Sequence, residues 1–303
     1  MQFDPNEPMA LLPSFADEVL RMAKGVPRMG KSNMLMWEQY GDEYEKEKAV
    51  YATDGDQRLA ISDVKNSGML AVVPLWGVLS PDGRYYGTAL DDFGRTMRAL
   101  DANPNISDIV LNITSPGGTV TGTPEAASAV RAVRDGGNTR VTAVANGMMA
   151  SAATWIGTAA GEVIVTPSGE AGSIGVISMY ADWSKAYESA GVKVDVMRTP
   201  AKKARFSGVE PMTEEMRQHM EGRLAQSYEQ FKRAMADNRG IRIDQVEGKF
   251  GGGEMLSATE AKDAGLVDRI ATLDETIARL VKKRAPSSAR AALARAQLDA
   301  MIK

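Results

Sequence analysis

The sequence predicts an α/β fold of parallel βαβ units, and two observations carry that expectation. Short apolar runs bounded by turn residues recur through the middle of the chain. Segments with helical periodicity stand between them, at the spacing a crossover helix requires. The longest apolar run, residues 69–76 (MLAVVPLW), falls far short of the ~20 residues that span a bilayer.

In chain order, MLAVVPLWG from Met69 reads as a buried strand, and Ala89 to Leu100 has helical periodicity. Ser107 to Ile113 reads as a second strand, ending in the turn Ser115-Pro116-Gly117-Gly118. Pro124 to Asp135 is a helix with proline at its start and Gly136-Gly137 at its close. Strands follow at 140–145 and 162–166, separated by a helix of small residues over 151–160. Residues 173–179 and 192–197 read as two more strands around a helix at 183–190. A long helix runs from Thr213, its expected N-cap, to about Asn238. Gly251 to Gly253 turn the chain into a short helix and the segment GLVDRI at 265–270.

Three regions result: an N-terminal appendage and linker (1–66), a central domain (67–281) and a basic helical tail (282–303). Within the appendage, 11–23 suits a short amphipathic helix, 37–51 is acidic and weakly periodic, and 54–67 reads as a polar linker. The tail carries six basic residues against Asp299 alone, a local charge of +5.

Composition excludes several classes. With 36 basic and 39 acidic residues the net charge is −3, so nothing points to nucleic acid. Without cysteine there is no disulfide and no thiolate metal site. The one histidine, His219, lies in a charged helical pattern without an evident carboxylate partner, which argues against a Ser-His-Asp triad or a His-rich metal site. No metal and no cofactor are expected. Acidic residues and prolines interrupt the first fifteen residues, so no signal peptide or membrane association is expected, and the location expected is the cytoplasm.

Four features carry chemistry. Ser151 follows a strand and a Gly-containing turn and opens a helix of small residues, where free N–H groups and the helix dipole favour an oxyanion. The same position suits a plain N-cap serine. Gly117 and Gly118 can present bare N–H groups to a carbonyl, or simply form a βα turn. Lys202 and Lys203 lie in RTPAKKARFS (198–207); a desolvated lysine can serve a serine as base where no histidine does, although most such runs are solvated loops. Ser173, in GSIGV (172–176), can orient a lysine amine or merely enter a strand.

Together, SPGG at 115–118, the stretch 143–160 and Gly172-Ser173-Ile174-Gly175-Val176 resemble the signal peptide peptidase A family of serine proteases, peptidase family S49. The resemblance runs over about 68–280 and includes Pro211-Met212-Thr213-Glu214-Glu215 and Ala261-Lys262-Asp263-Ala264-Gly265-Leu266-Val267-Asp268. It implies the ClpP/crotonase-like fold, Ser151 as nucleophile, Ser173 as the orienting residue, and Gly117 or Gly118 with Ala152 as oxyanion donors. Alanines 152 and 153 replace the glycine pair usual after the nucleophile. The segment matching the family's base motif is Thr199-Pro200-Ala201-Lys202-Lys203-Ala204, which implies Lys203 as base with Lys202 as the alternative; Pro200 and Ala204 depart from the pattern.

The implied reaction is acyl transfer through an acyl-enzyme on a protein or peptide substrate. Without a membrane anchor the chain resembles the phage and prophage branch, whose members mature procapsids by cutting scaffold and portal-associated proteins. That branch implies host cytoplasm or procapsid interior and a homo-oligomer, an octamer favoured. Three other readings stay open: a non-catalytic procapsid scaffold on the same fold, a soluble housekeeping peptidase, and a crotonase-type acyl-CoA enzyme. The last needs a CoA-phosphate site and carboxylates that are not evident.

Overall fold

The computed structural model describes residues 9–11, 51–53, 58–60, 69–83 and 87–282. Its centre is a parallel sheet. Strand β4 (Met69–Leu79) is apolar almost throughout because both its faces are covered. Helix α1 (Leu90–Asp101) leads to β5 (Ile106–Thr119), and α2 (Thr123–Gly136) leads to β6 (Arg140–Ala150). Helix α3 (Ala152–Gly157) then leads to β7 (Glu162–Val165). The short strand β8 (Glu170–Gly172), α4 (Ser184–Ser189) and the long α5 (Glu214–Arg239) follow. Helix α6 (Val246–Lys249), β9 (Met255–Ser257), α7 (Ala258–Asp263), β10 (Arg269–Ile270) and α8 (Leu273–Lys282) complete the described chain.

The sheet runs β10-β7-β6-β5-β4, all parallel. It continues with antiparallel β2 (Tyr51–Thr53) and β3 (Arg58–Ala60). Strand β8 lies parallel to the end of β6 and antiparallel to β9. One further strand, β1 (Met9–Leu11), pairs antiparallel with the end of β5. Parts of the N-terminal region therefore join the central sheet, and residues 58–60 are a strand where a linker was expected. The Asp54-Gly55 pair between β2 and β3 is a hairpin signal that the polar composition of 54–67 concealed. The helix expected over 11–23, the segment 37–50 and the tail from residue 283 lie outside the described residues.

The sheet is covered on both faces. One face packs Val73, Leu75, Ile109, Leu111, Ile113 and Ala143 against α1, α2, α3 and the second half of α5. The other packs Leu70, Val72, Val110, Val144 and Ile164 against Leu280 of α8, with Leu273 and Ile277 alongside at helical spacing. Caps fix the later helices: Thr213 accepts from the Met216 N–H, and Ser257 with Glu260 forms a capping box before α7. The ring of Trp155 stacks on Phe231 at 4.7 Å, fastening α3 to α5. Asp268 of the GLVDRI segment accepts from the Val163 N–H at 2.8 Å and pairs with Arg239 at 2.6 Å, so it ties β7 to α5.

Two features depart from the expected pattern. Residues 115–118 do not form a turn, because β5 runs on to Thr119. Only glycine permits this at 118, where a Cβ would lie 1.8 Å from the Leu79 carbonyl oxygen. Residues 173–179 and 192–197 form no strand ladder with the described residues.

Candidate active site

β6 leaves β5 at the pair Ser115–Met149, two residues before Ser151. On its other edge the last residues of β6, Met148 to Ala150, pair with β8. Ser151 therefore sits at a strand-to-helix turn, fully buried, with φ 54° and ψ −114°. A side chain holds that conformation only under constraint, at a cost of about 1–3 kcal/mol. The constraint is visible. The Ser151 N–H donates to the Gly172 carbonyl at 2.8 Å, and the Ser151 carbonyl accepts from the Trp155 N–H at 3.0 Å. Its hydroxyl makes a long contact of 3.4 Å with the Gly175 carbonyl. Ser151 thus makes no side-chain cap bond, which removes the plain N-cap reading.

Gly172 is central to this turn. Its φ of 143° suits glycine, and a Cβ there would lie 2.6 Å from the Glu254 carbonyl oxygen. The neighbouring Ser173 is also buried and also left-handed, with φ 54°, and its N–H donates to the Glu254 carbonyl at 2.7 Å. Ser151 and Ser173, the two serines singled out in the sequence, are thus held in strained conformations on either side of the Gly172 carbonyl.

Thr154 was not foreseen. Fully buried in α3, its hydroxyl lies 2.7 Å from the Met149 carbonyl and 2.9 Å from that of Gly172. The Gly172 oxygen therefore faces both the Ser151 N–H and the Thr154 hydroxyl. One signal was present: a lone polar side chain in the otherwise apolar run Ala152-Ala153-Thr154-Trp155-Ile156. Behind it the Thr158 hydroxyl donates to the Thr154 carbonyl at 2.8 Å and accepts from the Asn238 amide at 3.1 Å, which carries the bracing into α5.

The candidate oxyanion donors come from two elements. Ala152 is the first residue of α3, and its N–H has no backbone acceptor among the described residues. Gly117 and Gly118 lie on the stretch of β5 beyond the point where β6 departs. The Gly117 N–H donates to the Ser115 hydroxyl at 3.1 Å, and that hydroxyl donates to the Gly77 carbonyl at 2.7 Å. Ser115 so braces the strand end against β4.

The lysines are placed differently. Lys202 and Lys203 are exposed in the loop before α5, and no hydrogen bond joins either to Ser151 or Ser173 among the described residues. Lys202 pairs with Glu215 at 2.5 Å. That hydrogen bond, then the Lys202 and Arg205 charges, holds the Glu215 carboxyl below the usual carboxylate range. Lys203 makes no ion pair with a described residue. The loop is anchored by an Arg198–Glu210 pair and by Phe206, which meets Tyr180 edge-on and stacks on His219 at 5.9 Å. The single histidine is thus a packing partner of the lysine loop. No group of residues suited to a metal occurs among the described residues, and no helix among them is long and apolar enough to cross a membrane.

Comparison with known proteins bears on this arrangement. The family model "Peptidase family S49" matches residues 136–286, and the model "Clp protease" matches residues 87–182. The chain is 26% identical to the capsid assembly protease C of Escherichia phage lambda over 283 residues, 90% of this chain and 62% of that protein. It is 25% identical to the head-tail preconnector protein GP5 of Enterobacteria phage P21, over 90% of this chain and 54% of that protein. With protease 4 of Salmonella typhi it shares 29% identity over 62% of this chain and 30% of that protein. The chain spans less than two thirds of the length of each of these three relatives. The parallel sheet with helices on both faces, the strained serine where β6 departs and the two overlapping family models agree: residues 136–286 match peptidase family S49, on a Clp protease-like fold.

Proposed function

We propose that the chain is a serine endopeptidase in which Ser151 is the nucleophile, Lys203 the general base and Ser173 the residue that orients the lysine. The observation that carries this reading is the buried, left-handed Ser151 at the strand-to-helix turn. Strain of this kind is retained where a side chain must be aimed, and an activated serine needs its oxygen held at fixed distance from oxyanion donors. Neutral Lys203 takes the Ser151 proton as its oxygen attacks a peptide carbonyl. The N–H of Ala152 and one from the Gly117–Gly118 stretch receive the oxyanion. The lysine then protonates the leaving amine, and water resolves the acyl-enzyme. Lys203 is preferred to Lys202, which is engaged with Glu215.

The exposed lysine and buried serine imply that the site is completed by assembly. Beyond α4, Val192, Val194 and Met197 are exposed at 49%, 40% and 95%, and Trp183 and Tyr187 are exposed as well. Residues 192 and 194 have strand alternation but no ladder partner among the described residues. Exposed apolar residues on an extended segment with no ladder among the described residues suit pairing with a second copy. A ring of copies, an octamer favoured, would bury this segment and desolvate the lysine. One phage relative is named a capsid assembly protease and the other a head-tail preconnector protein, so scaffold or portal-associated proteins inside a procapsid are the substrates proposed.

The test is incubation of the unchanged chain and Ser151→Ala with an unfolded substrate protein, with acid quench and mass spectrometry of the Ser151 peptide. Cleavage and a trapped acyl group only on the unchanged chain support the reading. Equal cleavage by Ser151→Ala ends it. Failure of every assembled form to cleave would favour the scaffold reading, for which the exposed position of both lysines is the specific support.

A further inference from the structure

β5 has two edges, and the structure fills both beyond residue 115. One is taken by β4, through Val78–Gly117 and Leu79–Gly118. The other belongs to β6 as far as Ser115–Met149, after which β6 departs toward Ser151. Strand β1 pairs with the same residues of β5 as Met9–Thr119, Ala10–Gly118 and Leu11–Gly117. Two strands cannot share one edge, so β1 lies on the edge that β6 vacates, the side on which Ser151 stands. An extended peptide approaching Ser151 would bind by strand addition to that edge.

We propose that residues 9–11 are an internal ligand of this peptide-binding edge, holding it as an antiparallel strand and competing with extended polypeptide. That the competition inhibits cleavage rests on the peptidase reading; the occupancy does not. The sequence suits a short, displaceable occupant. Pro8 and Pro13 bracket Met9-Ala10-Leu11-Leu12, and proline cannot donate to a ladder, so the pairing cannot lengthen into a stable strand at either end. The covalent tether holds so weak a ligand at an effective concentration of the order of millimolar. A protein substrate offering a longer strand displaces it.

The experiment uses the full chain. Successive N–H groups of a strand point to opposite sides, so replacing Met9 and Ala10 together by proline removes whichever faces β5. Met9→Leu/Ala10→Ser keeps both donors and serves as control. In a Ser151→Ala background, hydrogen exchange of residues 115–121 is measured, with binding of a fluorescein-labelled peptide of residues 5–14. Exchange about tenfold faster and binding about tenfold tighter in the double-proline chain than in the control are expected, the scale of about one or two net hydrogen bonds. Equal exchange, or equal binding, overturns the proposal. With Ser151 intact, the double-proline chain should cleave an unfolded protein about tenfold faster. No cleavage by any form, with the exchange and binding differences present, refutes the peptidase reading and leaves the strand assignment standing. Cleavage at an unchanged rate refutes the inhibition.

Discussion

Thr154→Val isolates what holds the nucleophile in its strained conformation. The substitution is nearly isosteric and touches no residue with a chemical role. It removes a fully buried hydroxyl placed 2.7 Å from the Met149 carbonyl and 2.9 Å from the Gly172 carbonyl. The Gly172 oxygen keeps the Ser151 N–H at 2.8 Å, so the loss falls mainly on Met149. An unmade buried hydrogen bond costs about 1–3 kcal/mol, and with one acceptor still served the lower half applies, about 1–2 kcal/mol. For a domain of this size that lowers Tm by about 2–8 °C in calorimetry. Activity should fall further than stability suggests. Ser151 holds about 1–3 kcal/mol of backbone strain, and each 1.4 kcal/mol by which its turn relaxes removes about tenfold from the productive population. The loss should appear in kcat, with KM nearly unchanged, because Thr154 is a positioning residue and meets no substrate. Thr154→Ser should recover most of it. An unchanged Tm and kcat/KM in Thr154→Val would show that this hydroxyl does not hold the Ser151 turn. A Thr154→Ser chain as impaired as Thr154→Val would move the cause from the hydroxyl to the methyl group.

Three further outcomes follow from the same geometry. Ser151→Gly and Ser151→Ala should both be inactive, but the glycine chain should melt about 2–4 °C higher, since only glycine takes φ 54° without strain; equal melting would deny that the turn is strained. Gly118→Ala should cost about 3 kcal/mol or more, because the new methyl meets backbone 1.8 Å away, and a normal Tm would contradict the close approach of β5 to β4. Val194→Glu/Met197→Glu should reduce the assembly to smaller species in light scattering and lower cleavage with it, while a full-sized, active assembly would show that the segment is not an interface.

The parts of this fold that were legible from sequence are those governed by local pattern. Strands β4 to β7 announced themselves by continuous apolar runs, as strands buried on both faces do, and α1, α2 and α5 by periodicity and caps. Ser151 and Ser173 were singled out because turn chemistry at strand ends is local too, and both take positive φ. What failed was non-local. The 115–118 segment carries every mark of a turn, yet Gly118 lets β5 run on against Leu79. Residues 173–179 and 192–197 have strand composition, but the first carries only an isolated bridge at Ile177 and the second has no ladder partner among the described residues. The role of Thr154 was hidden because its two acceptors come from Met149 and Gly172, carbonyls that no side-chain motif marks. The Asp54-Gly55 hairpin signal was legible and was outweighed by the polarity around it.

Ser151 is proposed to act with a lysine from the 199–204 segment. The measurement that decides this is cleavage of an unfolded protein by the assembled unchanged chain, Ser151→Ala, Lys202→Ala and Lys203→Ala, from about pH 7 to about pH 9. Activity should rise with pH in the unchanged chain, since the base must be neutral to accept the serine proton. It should be lost in Ser151→Ala and Lys203→Ala and retained in Lys202→Ala. Full activity in Lys203→Ala, or a rate that falls as pH rises while the fold stays intact, would contradict the Ser–Lys account.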